Sequence, residues 1–164
     1  MRSSTRHFCA ATLALAVVGC TGAADGPAAP SFVISDPDLP QVNLDVLLHG
    51  EGRGFIHFRQ PADEDVIAFL DTRVQGLSPH TSYLLQRAVD VVVDDDCTSA
   101  AWLTLGKGPT PQAILTDGQG SGQEQLWRSL SGVGSIFDIH FRVIDATTAA
   151  VVLQSECHQF VISQ

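Results

Sequence analysis

Phe137, Ile139, Phe141 and Val143 alternate with Asp138, His140 and Arg142. That strict period of two marks a strand with one face in a core and the other toward polar surroundings. The rhythm recurs upstream: in residues 42–49, Val42, Leu44, Val46 and Leu48 alternate with Asn43, Asp45, Leu47 and His49, polar but for Leu47. Further short strands are expected at 55–59, 66–74, 83–93, 101–105, 112–116, 124–130, 150–154 and 157–162. Between them lie turn-forming stretches: GEGRG, PADED, GKGPTP, DGQGSG and GVG. No segment carries a convincing amphipathic helical period. Strands at this spacing predict an all-β fold, a single Greek-key β-sandwich of about eight to ten strands spanning residues 42–164.

Composition narrows the function classes. Hydrophobic residues make up 45% of the chain and charged residues 16%, a globular balance. Formal net charge is -9, with Lys107 the only lysine and the arginines scattered singly. An acidic surface without a basic patch repels phosphate backbones, so a nucleic-acid partner is not expected.

The first residues read as an export signal. Arg2 and Arg6 precede an apolar run over 8–18, too short for the roughly twenty residues that span a bilayer. The run ends in Val17, Val18, Gly19 and Cys20, which resemble the lipobox of bacterial lipoproteins. The resemblance implies that residues 1–19 are a signal peptide, that Cys20 is lipidated, and that cleavage leaves Cys20 as the new N-terminus. Multiple acyl chains on one residue anchor durably where a single chain does not. Residues 20–41, rich in Ala, Pro, Gly, Ser and Asp, then form a lipidated tether. The alternative is plain cleavage after Ala24, giving a soluble product. Loss of Arg2 and Arg6 takes the charge from -9 to -11. In a host with two membranes, Thr21 stands where some lipoproteins carry an aspartate as an inner-membrane retention signal, so the resemblance implies sorting to the outer membrane.

Cysteine usage follows from that processing. Cys9 leaves with the signal and Cys20 is committed to lipid, so Cys97 and Cys157 remain as one pair in an exported chain, where oxidation is favoured. A disulfide closing that loop stabilises by about 4 kcal/mol on the chain-entropy model. The competing reading, two free thiols in a redox or metal site, lacks a C-x-x-C or a ligand at suitable spacing.

Residues 74–83, VQGLSPHTSY, resemble the V-x-G-L-x-P-x-T-x-Y segment of fibronectin type III and related immunoglobulin-like sandwiches. The resemblance implies that Leu77 plugs one end of the core and that the Tyr83 hydroxyl bonds back to the preceding turn as a tyrosine corner. Some eighty residues follow Tyr83, more than a fibronectin module accommodates, and the Cys-Trp-Cys spacing of antibody domains is missing. Val74 to Leu77, with T-D-x-x-G-x-G at 116–122, also resembles copper-zinc superoxide dismutase. That enzyme needs a His-x-His pair for copper, and the chain has none.

Three candidate chemistries remain. Asp94, Asp95 and Asp96 form an acidic run that either supplies oxygens to calcium or is a solvated loop. Asp117, Gln119, Ser121 and Gly122 begin like an EF-hand loop, but Arg128 stands where the bidentate glutamate is required. Trp127 alternates with Gln123, Gln125 and Ser129 on a polar face, as a platform for a sugar ring or protein partner; alternatively the register bulges and Trp127 packs in the core or under a loop. No nucleophile elbow, Walker loop or dinucleotide fingerprint occurs. The expectation is a non-enzymatic, lipid-anchored envelope protein, a binding or scaffold module with no cofactor. Its partners are the membrane through Cys20 and an envelope protein or glycan. The competing expectations are a calcium or copper/zinc-type metal-binding module or enzyme, and a carbohydrate-binding accessory domain.

Overall fold

A computed structural model describes residues 43–61 and 65–163. The signal segment 1–19, Cys20 and the tether through residue 41 lie outside the described residues. What is described is all-β. Twelve strands run in order: β1 Leu44–Gly50, β2 Arg53–Arg59, β3 Ile67–Gln75, β4 Ser82–Asp90, β5 Leu103–Thr104, β6 Gly106–Lys107, β7 Thr110–Pro111, β8 Ala113–Leu115, β9 Gly122–Ser129, β10 Ile136–Asp145, β11 Val151–Gln154 and β12 His158–Val161.

Where two packed sheets are expected, all twelve strands belong to one sheet, ordered β5-β4-β10-β11-β1-β2-β3-β9-β6-β7, with β12 on β10 and β8 on β4. Its two ends nearly meet. β5 pairs with β4, β6 pairs with β9, and Leu105 alone separates β5 from β6 in the chain. The sheet is therefore curled into a nearly closed, barrel-like shape, which removes most free edges.

Alternation decides which side chains enter that shape. Leu44, Val46 and Leu48 point inward from β1, Ile56 and Phe58 from β2, Leu70 and Val74 from β3, and Ile139, Phe141 and Val143 from β10. Each such side chain is worth roughly 1.5–3 kcal/mol when fully buried. At one end Phe58 meets Phe160 edge to face with centroids 4.5 Å apart. At the other, Leu77 is buried beneath the turn that carries the chain from β3 to β4. That turn is locked to the one before β9. Leu77 N–H donates to the Gly120 carbonyl, and Thr116 Oγ1 accepts from Thr81 N–H and donates to the Ser78 carbonyl. Gly120 is required there: its φ is +73°, and a Cβ would sit 2.0 Å from the Leu77 carbonyl oxygen.

One boundary differs clearly from expectation. The strand expected over 83–93 ends at Asp90, and Val91, Val92 and Val93 are exposed. Their apolar run resembles strand but has no partner strand in the sheet. The segments 150–154 and 157–162 are β11 and β12, both antiparallel to β10 at its two ends.

Candidate functional site

Three adjacent strands, β2, β3 and β9, present an outward face organised as a grid. Cross-strand register places Phe55 beside Arg73 and Gln123, His57 beside Asp71 and Gln125, and Arg59 beside Phe69 and Trp127. The first two rows line a shallow groove of about 520 Å³. Each row follows from the period of two, since the intervening residues Ile56, Leu70 and Leu126 fill the core.

Asp71 sits at the centre. Its Oδ2 accepts from Arg59 Nε at 3.1 Å and Nη2 at 2.6 Å, and its Oδ1 accepts from Gln125 Nε2 at 2.7 Å. Partial burial pushes the Asp71 carboxyl up, but hydrogen bonds from Gln125 and Arg59, with the charges of Arg59 and His57, outweigh it and hold its pKa below the ordinary value. His57 Nδ1 lies 2.6 Å from Asp45 Oδ1 on the neighbouring strand β1. The Arg59 guanidinium is 5.9 Å from the Phe69 ring centroid. The face thus offers fixed donors and acceptors flanked by aromatic rings.

Trp127 belongs to this face. Its strand pairs with β3 residue for residue over 122–129 without a bulge, so Trp127 points outward while Leu126 is buried. The indole is half-buried because it lies against Gly108 in the β6–β7 turn. Gly108 has φ +67°, donates its N–H to the Trp127 carbonyl, and has no room for a Cβ, which would come within 2.8 Å of the ring. The polar face and the packing under a loop, posed as alternatives, are both present. Asp71 and Arg59 were missed in the sequence because a lone charge on an alternating strand looks like ordinary surface; only cross-strand register brings them to Gln125 and Phe69.

The outward face of β10 is built differently. Residues 91–102 cross over it as a strap. Asp138, fully buried, accepts from the backbone N–H groups of Asp94 and Asp95 through Oδ2, each at 2.9 Å. Asp90 accepts from Ser99 N–H at 3.1 Å, and Asp94 Oδ1 accepts from Asp96 N–H at 3.2 Å. Trp102 stacks on His140 with centroids 4.5 Å apart, and the Arg142 guanidinium lies 4.0 Å from the Trp102 ring centroid. Cys97 is disulfide-bonded to Cys157, between β11 and β12, with Cα atoms 5.4 Å apart. His140 is therefore a covered residue, not a free surface one.

The other sequence candidates resolve locally. Asp94, Asp95 and Asp96 do not converge on a point, and among the described residues no three His, Cys, Asp or Glu side chains are placed to hold a metal ion. The backbone of this acidic run is used in binding Asp138. Asp117 caps its own turn, its Oδ1 accepting from Gln119 and Ser121 N–H, and hydrogen bonds to these two residues hold its pKa below the ordinary value. Tyr83 Oη accepts from Ser78 N–H at 3.1 Å, five residues upstream. No protein-family model matches the chain, and no curated protein sequence matches it.

Proposed function

We propose that this chain is an exported, lipid-anchored, non-enzymatic binding module whose ligand face is the outward grid of β2, β3 and β9. The single observation that carries the reading is the centre of that grid. Asp71 is held between Arg59 and Gln125, in the row between Phe55 and the Phe69–Trp127 pair. Planar, pre-positioned donors and acceptors match the vicinal hydroxyls of a sugar, and aromatic rings match the C–H faces of its ring. A glycan of the envelope is therefore the ligand class this module takes.

Two further readings belong with it. The lipobox-like Val17, Val18, Gly19 and Cys20 support an envelope address, with Cys20 as anchor and the outer membrane as destination where the host has one. The Cys97–Cys157 bond fits an oxidising compartment. The strand order supports a Greek-key, immunoglobulin-like lineage: β3 pairs with β9 and β4 with β10, each skipping the chain between, as Greek keys do.

A glycan array probed with the wild type and Asp71→Asn tests the ligand class. Binding by the wild type and its loss in the folded variant are expected; equal binding by both overturns the assignment. Mass spectrometry of the membrane-extracted N-terminal peptide tests the anchor, and an unmodified chain starting at Asp25 rules it out.

A further inference from the structure

Two arginines point into the barrel-like sheet. On β4, Arg87 follows the inward parity of Leu85 and pairs with the buried Phe141 of β10. On β9, Arg128 follows the inward parity of Leu126 and pairs with the buried Ala68 of β3. Both line one cavity of about 280 Å³, at the end of the fold remote from Leu77. The floor of the cavity is apolar and includes Phe58, Leu70, Ile139 and Phe160. Among the described residues that line it, the charged groups are these two guanidiniums.

Cations in such a place are costly. Arg87 loses hydration, and the two guanidiniums repel in a medium less polar than water. Burial first, and then the charge of Arg128, hold the Arg87 pKa below its ordinary value. Paired guanidinium forks are suited to a carboxylate, which they bind with charge-assisted hydrogen bonds. An aromatic floor beneath them suits hydrocarbon.

We propose that this cavity binds a short-chain amphiphilic carboxylate, its head between Arg87 and Arg128 and its tail against Phe58 and Phe160. The volume lies just below the roughly 300–1,000 Å³ of pockets for drug-sized ligands, which limits the tail to a short chain. The site is distinct from the glycan face: Arg128 and Trp127 are neighbours in β9 that point to opposite sides of the sheet.

Sodium octanoate added to the full chain is the test, with octanol as the tail alone and sodium acetate as the head alone. Octanoate is expected to raise the melting temperature saturably, while octanol and acetate bind about tenfold more weakly or worse. Arg128→Gln removes one fork and the repulsion together. The ligand-free variant is expected to melt at or above the wild-type temperature and to bind octanoate about tenfold more weakly. Arg87→Gln, with strand content checked by circular dichroism, is the second variant and is expected to lose octanoate binding in the same way. No saturable response to octanoate in the wild type, equal responses to octanol and octanoate, or undiminished affinity in both folded variants overturns the proposal. A lower melting temperature for ligand-free Arg128→Gln also overturns it, because Arg128 would then already be neutralised within the chain.

Discussion

The outward faces of β10 and of β2–β3–β9 come from the same alternation and meet opposite fates. On β10, Asp138, His140 and Arg142 lie beneath the 91–102 strap, each spent on a bond or stack with it. On β2, β3 and β9, the grid around Asp71 is uncovered, and its polar groups are ordered by one another. Polar residues facing out therefore do two jobs here: they fasten a loop on β10, and around Asp71 they bond one another across strands. The difference lies in a disulfide and a loop, not in the strands.

The comparison breaks most sharply at the staple. Cys97→Ser with Cys157→Ser is expected to cost about 2–5 kcal/mol in thermal or denaturant unfolding, while glycan binding by the folded protein is retained. Next comes the buried acceptor. Asp138→Ala leaves the amides of Asp94 and Asp95 without their partner and is expected to cost about 1–3 kcal/mol. Hydrogen exchange at those two amides should accelerate, and exchange in β3 and β9 should not.

On the open face the stability effects are smaller. Gly108→Ala puts a methyl group against the Trp127 indole at a left-handed φ, with an expected cost of about 1–2 kcal/mol and a shift in tryptophan fluorescence. Asp71→Asn is expected to change stability at pH 7 by less than ~1 kcal/mol, because the ion pair with Arg59 is partly solvated. The sign of its pH dependence is fixed. The folded pKa of Asp71 lies below the ordinary value of 3.8, so its contribution is present above that value. It is lost as pH falls through the lower folded value. Acid unfolding curves of wild type and Asp71→Asn should therefore converge at low pH.

Much of this was legible in the residue order. Alternation located β1, β9 and β10 within a few residues, a nearly continuous apolar start located β3, and turn chemistry placed Asp117 and Gly120 at a tight reversal. Other features were invisible for a physical reason. Asp138 sits on the polar side of an alternating strand, and only a loop from elsewhere in the chain buries it. Val91 to Val93 carry the residue types of a strand, but among the described residues no strand pairs with them. Curling into one nearly closed sheet depends on two-residue strands on either side of Leu105, too short to leave a period. Arg87 and Arg128 stand at inward positions of β4 and β9, and parity alone does not tell a core cation from a register error.

The central claim is that the open grid, and not the strapped face, is where this protein meets its ligand. A glycan array comparing the wild type, Asp71→Asn and the Cys97/Cys157 double serine variant tests it most directly. Binding by the wild type and the disulfide-free variant, with loss in Asp71→Asn, is the predicted result. Binding that survives Asp71→Asn and disappears with the disulfide would contradict it.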